Sequence, residues 1–245
     1  LPIFNELDAK GYLLKDKDGK TVDGLPFRSD RTGGLIDATN PKARQWFWEK
    51  SRDNILSHGF DYPWLDETEP DLVPDGFFYS IGSGDRYHNL FPLLHVEGFA
   101  DNMRAWKPNK RVLILSRAAY LGSQRTGALF WSSDVNASWE ALQRQIPTGL
   151  NMTASGIALW GNDIGGWQAI PGTSDGTKPP LLDPSDARDV VGQNSDYPEL
   201  LTRWFQYGTL LPTLRLHGQH KHTDIWSFGK QAEAIMARYD TLRYQ

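Results

Sequence analysis

Short apolar runs alternate with helical patterns along most of the chain. The clearest run is RVLILSR at residues 111–117, whose aliphatic and β-branched side chains are typical of a parallel strand buried on both faces. Strands that alternate with helices imply a parallel sheet with right-handed crossovers, and therefore an α/β fold. The predicted strands cover residues 60–66, 111–117, 127–131, 157–160 and 213–216.

Helix boundaries carry recognisable signals. Asn40 and Pro41 predict the start of a helix, because asparagine caps a helix and proline fits its first turn, and Gly59 predicts the end. Pro147 is predicted to stop or kink another helix, and Ser227 to cap the last one. Helices are predicted over residues 40–59, 86–106, 137–146 and 198–211, and beyond residue 227.

Two stretches lack a periodic pattern. Residues 1–36 contain turn signals and are predicted to be a loop or insertion region before the helix and strand that lead to Asp66. Residues 168–197 are rich in Pro, Gly and Asp and are predicted to be a long loop. The chain begins at Leu1 and ends at Gln245 inside a predicted helix, so we expect a segment of a longer protein.

Composition narrows the classes of function. The 245 residues carry a net charge of -4, which argues against nucleic acid as the main partner. No run of about 18 apolar residues exists, so no membrane span is predicted, and the absence of cysteine removes disulfides and thiol chemistry. Gly82 and Gly84 lack a strand before and a helix after them, so they do not predict a nucleotide site. Most of the 30 aromatic residues suit a core, and a minority suit a site that stacks sugar rings.

Two carboxylates stand where apolar runs end. Asp66 follows Trp64 in the sequence WLDETEP at residues 64–70, and Asp134 follows Trp131. Glycoside hydrolysis requires such a pair, with one group ionised and the other protonated. Further polar residues follow predicted strands, a position that forms the catalytic face of a (β/α)8 barrel. These residues are Arg117, Asp163 and His217.

Other chemistries remain as alternatives. Glu67 and Glu69 are alternative catalytic acids, and contact with neighbours or solvent is the competing interpretation. His217, His220 and His222 are spaced closely enough for a metal site, although no cysteine is available to complete it. A non-catalytic carbohydrate-binding or scaffold protein is a third alternative, against which the two aspartates argue.

Five sequence blocks occur in a fixed order over residues 60–217. They are WLDETEP at 64–70, LSRAAYLGSQR at 115–125, WSSD at 131–134 with Trp139, the segment from GLN at 149–151 through SG at 155–156 to DIGGW at 163–167, and RLH at 215–217. This ordered set resembles glycoside hydrolase family 31. The first block is similar to the family's nucleophile motif, and the third is similar to its acid/base motif.

The resemblance implies a fold and a set of roles. The fold is a TIM-type (β/α)8 barrel, and residues 1–245 would form an incomplete catalytic barrel domain with approximately strands 4 to 8 and their helices. Asp66 would be the nucleophile and Asp134 the general acid/base, with their carboxyl groups roughly 5–5.5 Å apart. The residues expected to bind substrate are Trp64, Arg117, Trp131, Asp163, Trp167 and His217.

The resemblance also implies an activity. It is that of a retaining, exo-acting α-glycosidase, which hydrolyses terminal non-reducing α-linked sugars by double displacement through a covalent glycosyl-enzyme intermediate. The expected partner is an oligosaccharide or α-glycoside substrate, and no metal or organic cofactor is implied. The sequence DETEP at residues 66–70 favours an α-xyloside over an α-glucoside. α-Galactosidase and transglycosylase activities on the same barrel, and an inactive or purely carbohydrate-binding fragment, are the alternatives.

One position departs from the family pattern. Ser133 stands where the acid/base block commonly has glycine. Either the Ser133 hydroxyl hydrogen-bonds the carboxyl group of Asp134, or it has no effect on that group. The aspartate itself is retained, so the assignment of Asp134 is kept.

Overall fold

The computed structural model of the protein describes residues 2–22, 33–69, 76–168, 196–218 and 223–245. The chain forms two compact units, Leu1–Leu129 and Phe130–Gln245, and the division falls within a strand. Among the helices in these described ranges, none combines the length and the apolar character that a membrane crossing requires.

The first unit combines helices with a parallel strand pair. Its elements are α1 (Pro2–Ala9), α2 (Pro41–Asn54), β1 (Trp64–Leu65), β2 (Phe78–Tyr79), β3 (Gly82–Ser83), α3 (Gly84–Tyr87), α4 (Phe91–Trp106) and β4 (Ile114–Ser116). Strands β1 and β4 are parallel, with Leu65 opposite Ser116. Strands β2 and β3 form a short antiparallel hairpin.

The second unit repeats the alternation of strands and helices. Its elements are β5 (Ala128–Trp131, which begins at the end of the first unit), α5 (Trp139–Ala154), β6 (Trp160–Gly161), β7 (Asp163–Ile164), α6 (Tyr197–Gly208), β8 (Arg215–Leu216) and α7 (Lys230–Arg243). Strand β5 pairs with β6, and β7 pairs with β8, both in parallel. Four of the five predicted strands therefore contain an observed strand, the fifth, at 157–160, overlaps β6 only at Trp160, and the parallel orientation is confirmed for these pairs.

The predicted start of α2 is confirmed, whereas the α-helix ends before the predicted Gly59. The Asn40 side chain accepts a hydrogen bond from the Lys42 N–H, and Pro41 occupies the first turn. The α-helix ends at Asn54, a 3-10 turn follows at Leu56–His58, and Gly59 ends it with a left-handed φ of 101°.

The prediction of a buried strand over residues 60–66 is wrong in its extent and in its burial. Only Trp64–Leu65 forms the ladder with β4, and Leu65 is buried. Phe60 and Tyr62 are 62% and 56% exposed. Side chains alternate in direction along an extended chain, so an apolar run reveals its hydrophobicity but not which of its two faces is covered.

Pro147 does not stop α5, which continues through this residue to Ala154, and the alternative of a kink stays a prediction. Proline has no N–H to donate, which normally disfavours the helix interior. Two side chains supply donors to carbonyls near it: the Thr148 hydroxyl bonds the Arg144 carbonyl, and the Tyr207 hydroxyl bonds the Gln145 carbonyl. These bonds satisfy backbone groups close to the proline.

One further boundary differs from the prediction. Ser227 does not cap the last helix, because its N–H bonds the Asp224 carbonyl in a turn and α7 begins after Gly229. The region of residues 1–36, predicted to be a loop or insertion, contains the short helix α1. The predicted long loop at 168–197 lies, apart from its flanks, outside the described residues.

Each unit has its own apolar core. In the second unit, α6 packs its buried face against Ile164 of β7 and Met236 of α7. In the first unit, the smaller cluster is built around Leu14, Tyr79 and Phe91. Burial of this apolar surface is the main stabilising contribution to each unit.

A buried carboxylate ties the start of α2 to the hairpin. Asp37 accepts hydrogen bonds from the N–H and the hydroxyl of Thr39 at 2.8 and 2.6 Å, and from the Ser80 N–H at 2.7 Å. Burial of a charged carboxylate is costly unless it is hydrogen-bonded, so these donors are needed for its position. Asp37 therefore fixes the loop that precedes α2.

Candidate active site

Asp66 occupies the first position after β1. Its neighbour Leu65 is buried within the ladder, whereas the Asp66 side chain is 46% exposed. The Glu67 N–H donates to Asp66 Oδ1 at 3.0 Å, and Nη1 of Arg117 lies 3.5 Å from the same oxygen. The predicted nucleophile is thus a solvent-accessible carboxylate beside the Arg117 guanidinium.

Arg117 follows β4 and faces three carboxylates of the loop after β1. In addition to Asp66, its Nη1 lies 2.8 Å from Oε1 of Glu67, and its Nε lies 2.5 Å from Oε1 of Glu69. The Arg117 side chain is only 9% exposed. The two glutamates that were alternative acids are therefore partners of this guanidinium.

Thr68 joins the same two loops through its hydroxyl. The side chain is buried, and Oγ1 accepts a hydrogen bond from the Ala118 N–H at 2.8 Å and lies 3.3 Å from the Ser116 hydroxyl. The pattern DETEP contains this residue, but its role requires the pairing of β1 with β4, which the pattern does not specify. Thr68 is a residue that the sequence reasoning missed.

A cavity of about 350 Å³ opens beside Asp66. Trp64 and Glu67 line it together with apolar and aromatic side chains of α2 and α4, including Phe47, Phe91 and His95. The volume is within the range of small-molecule sites. A cavity of about 450 Å³ lies along α7 and contains none of the predicted site residues, so volume alone does not mark the site.

His95 contributes an uncharged wall to this cavity. Its ring stacks on Phe91 with a centroid separation of 5.7 Å and contacts the rings of Phe47 and Phe99. Burial lowers the pKa of His95 to about 4, because the aromatic surroundings disfavour the imidazolium. The imidazole is therefore neutral at neutral pH.

The second unit carries the other candidate residues. Asp134 lies three residues after the end of β5 and is partly buried, and Gln168 Nε2 contacts its backbone carbonyl at 3.5 Å. The Trp167 N–H donates to the Val135 carbonyl at 2.9 Å, which anchors that ring next to the acid/base segment. Trp131 is buried, with the Arg215 guanidinium 5.1 Å from its ring centroid.

Asp163 and His217 lie at the ends of the paired strands β7 and β8. Asp163 is fully buried, and its carboxylate pairs with Arg215, the residue opposite it in the ladder. His217 directly follows β8 and is partly buried. A buried charge needs such a partner, so Arg215 explains how Asp163 is tolerated at this position.

The structure brings the predicted residues together within each unit. Trp64, Asp66 and Arg117 belong to the first unit, and Asp66 and Arg117 are in contact. The separation between the Asp66 and Asp134 carboxyl groups stays a prediction. The residues of the second unit are Trp131, Asp134, Asp163, Trp167 and His217.

Two glycines explain the turn in DIGGW. Gly165 and Gly166 both have a left-handed φ, 93° and 77°. A Cβ on Gly166 would lie 2.6 Å from the backbone of Ala137, and one on Gly165 would lie 2.7 Å from Leu201. Only glycine fits here, and the turn carries the chain from Asp163 to Trp167.

Among the described residues, Glu67 and Ser133 are the two non-glycine residues with a left-handed φ, 51° and 60°. Glu67 directly follows one candidate aspartate, and Ser133 directly precedes the other. Residues with a Cβ adopt this conformation at a cost of roughly 1 kcal/mol, and such strain is concentrated at functional sites. The glycine that the family commonly has at position 133 therefore has a physical reason.

Replacement of Ser133 by glycine is expected to raise the free energy of unfolding by about 1 kcal/mol, because glycine adopts a left-handed φ without steric cost. Denaturant unfolding measures this change. Ser51→Gly, in the interior of α2, is the control and is expected to lower the same free energy by roughly 0.5–1 kcal/mol. A Ser133→Gly variant with a lower free energy of unfolding would contradict the inference that the backbone at Ser133 is strained.

A metal site was one alternative, and the structure tests part of it. In the ranges that the structure describes, no group of three or more His, Cys, Asp and Glu side chains is arranged to hold a metal ion. His220 and His222 of the suggested cluster lie outside those ranges.

Comparison with known proteins identifies relatives across nearly the whole chain. A curated family 31 glucosidase of Pseudescherichia vulneris is 36% identical over 89% of this chain, and the α-xylosidase of Saccharolobus solfataricus is 32% identical over 99% of it. The chain spans 37% and 29% of the lengths of these two relatives.

Two solved structures of GH31 enzymes superpose well on this chain. A Flavobacterium johnsoniae GH31 dextranase complexed with glucose matches with a TM-score of 0.82 at 27% identity, over 99% of this chain and 29% of that chain. A GH31 α-xylosidase from a soil metagenome complexed with xylose matches with a TM-score of 0.78 at 30% identity, over 98% of this chain and 36% of that chain. Both matches confirm the predicted α/β barrel class.

The family assignment follows from a match over the full sequence. The model of the glycosyl hydrolases family 31 TIM-barrel domain covers residues 1–245. It therefore includes all five sequence blocks and both candidate aspartates, and the resemblance noted from those blocks is confirmed. The chain belongs to glycosyl hydrolase family 31 and lies within its TIM-barrel domain.

Proposed function

We propose that the protein is a retaining α-glycosidase that removes terminal non-reducing α-linked sugars, with Asp66 as nucleophile and Asp134 as general acid/base. The observation that carries the proposal is Asp66 itself: it follows a parallel strand, lines a cavity and lies 3.5 Å from a guanidinium nitrogen. Membership of family 31 supports the same reaction class.

In the first step, the ionised carboxylate of Asp66 attacks the anomeric carbon and forms a covalent glycosyl-enzyme intermediate. Arg117 supplies positive charge beside this carboxylate, with Nη1 3.5 Å from Oδ1. The Glu67 N–H holds Oδ1 of Asp66, which restricts the carboxylate to one orientation.

Asp134 acts in both steps. It protonates the leaving oxygen as the intermediate forms, and it then removes a proton from the water that attacks the intermediate. Two displacements at the same carbon restore the α configuration. We expect the carboxyl groups of Asp66 and Asp134 to lie roughly 5–5.5 Å apart in the active enzyme.

The remaining residues are proposed to bind the sugar in the site nearest the cleaved bond. Arg117, His217 and Asp163 would hydrogen-bond hydroxyl groups, with the Asp163 carboxylate oriented by Arg215. The aromatic walls would be Trp64, Trp131 and Trp167.

The substrate is proposed to be an α-xyloside or an α-glucoside. The DETEP sequence favours the xyloside, and several of the similar proteins, among them the Saccharolobus solfataricus relative and the soil-metagenome enzyme, bear the name α-xylosidase. Other family 31 neighbours are named glucosidase or dextranase, so a substrate panel should contain aryl α-xylosides, aryl α-glucosides and isomaltotriose.

The stereochemistry of the first product tests the mechanism. With an aryl α-xyloside or α-glucoside, the sugar released first is expected to be the α anomer, because double displacement inverts the anomeric carbon twice. Proton NMR in the first minutes, before mutarotation, distinguishes the anomers. The matching aryl β-glycoside serves as the control and should not be cleaved. A β anomer as first product, or no turnover of any α-glycoside by the whole protein, would refute the proposal.

A further inference from the structure

Glu69 holds one defined edge of the Arg117 guanidinium. Its Oε1 lies 2.5 Å from Nε, whereas Oε1 of Glu67 and Oδ1 of Asp66 both approach Nη1, at 2.8 and 3.5 Å. The Glu69 side chain is 25% exposed and that of Glu67 is 51% exposed. The two glutamates therefore meet the same cation at different edges and at different depths.

The edge matters because the guanidinium is a planar, rigid fork. The Glu69 carboxylate holds the Nε end of this long and otherwise flexible side chain through a close ion pair rather than through a hydrogen bond at Nε. The Nη1 atom is then directed towards Asp66. Glu67 shares Nη1 with Asp66, so it competes for this atom rather than orienting it.

The backbone of the loop is built to bring Asp66 and Glu69 to the same guanidinium. Residues three apart in a regular strand point to opposite sides. The left-handed φ of 51° at Glu67 breaks this alternation, and the buried Thr68 hydroxyl pins the loop to the Ala118 N–H next to Arg117. The left-handed backbone at Glu67 thus brings the carboxylates of Asp66 and Glu69 to the Arg117 guanidinium.

We propose that Glu69 is a positioning residue for the glycosidase reaction: it fixes Arg117 through Nε so that the Nη1 edge faces Asp66 and the adjacent sugar hydroxyl. This inference rests on the proposed function. Glu69 does not touch the reacting atoms, and it acts through the orientation of Arg117.

The isosteric variants Glu69→Gln and Glu97→Gln provide a matched comparison, because each removes one negative charge from a carboxylate that pairs with an arginine of the first unit and keeps the side-chain volume. Glu97 pairs with Arg125, away from the candidate site. In the whole protein, Glu69→Gln is expected to lower kcat by about tenfold and Glu69→Ala by about 100-fold, since small misplacements at a reacting centre have effects of that order. KM should change by less than about threefold in both. Glu97→Gln is expected to lower kcat by less than about twofold.

Crystal structures of the variants supply a readout that is independent of activity. The Arg117 guanidinium is expected to rotate away from Asp66 in Glu69→Ala and to keep its orientation in Glu97→Gln. Equal losses of kcat in Glu69→Gln and Glu97→Gln, or an unmoved Arg117 in Glu69→Ala, would overturn the proposal. Failure of the proposed function is recognised separately, because the unmodified protein would then turn over no α-glycoside.

Discussion

Replacement of Asp66 by alanine is expected to lower kcat for an aryl α-glycoside by about ten-thousand-fold or more, because no other carboxylate replaces a lost nucleophile. Sugar binding should remain measurable, since Arg117 and the cavity wall are retained. Azide should restore turnover, because the vacated space admits a small anion. Azide attacks once, from the face opposite the leaving group, so the product should be the β-glycosyl azide.

Asp61→Ala is the matched control for this experiment. Asp61 lies five residues before Asp66, is partly exposed and pairs with Lys107 and Lys110. The hydrogen bond from Lys110 holds the pKa of Asp61 below its usual range, so the residue is also a carboxylate beside a cation. Its replacement is expected to change kcat by less than about twofold, since surface ion pairs contribute little. Unchanged turnover in Asp66→Ala would remove the nucleophile assignment.

The sequence predicted those elements whose physical cause is local. The aliphatic run at 111–117 contains β4, and the Asn40–Pro41 pair starts α2, because β-branched packing and helix capping depend on neighbouring residues in the chain. The order of the five blocks similarly identified the family before any contact was known.

The contacts of Arg117 were not predictable from the same information. They depend on the register that sets Leu65 opposite Ser116, which brings the loop after β1 against the residue after β4. A carboxylate cluster in a sequence shows available charge, but it does not show which cation the charge meets. The partner of Asp163 was missed for the same reason, because Arg215 lies opposite it only through the β7–β8 pairing.

The left-handed φ values of Ser133 and Glu67 were not equally predictable from the sequence. Ser133 stands at a position where the family commonly has glycine, a residue that favours a left-handed φ, so a signal was present, although the prediction made from it concerned only a hydrogen bond to the neighbouring carboxyl group. Glu67 gave no such signal, because glutamate is not typical of left-handed turns. The exposure of Phe60 and Tyr62 was hidden too, since burial depends on what covers a face rather than on the residues that form it.

Replacement of Asp134 by alanine is expected to have an effect that depends on the leaving group. For an unactivated aryl α-glycoside, kcat/KM should fall by about 10³- to 10⁴-fold, the upper range of general acid catalysis, because the departing oxygen needs a proton. For a dinitrophenyl α-glycoside, whose leaving group departs as a stable anion, kcat/KM should fall by less than about tenfold. Steady-state kinetics with a series of aryl leaving groups measures the difference.

The azide product separates the two aspartates by stereochemistry alone. In Asp134→Ala the nucleophile is still present, so azide attacks the covalent intermediate and the second inversion yields the α-glycosyl azide, opposite to the product of Asp66→Ala. Glu140→Ala is the control in the second unit, because Glu140 is an exposed carboxylate paired with Arg144 on α5. A β-azide from Asp134→Ala, or a loss of kcat/KM that is the same for every leaving group, would show that Asp134 is not the acid/base, because removal of a proton donor slows the departure of a basic oxygen more than that of a weakly basic one.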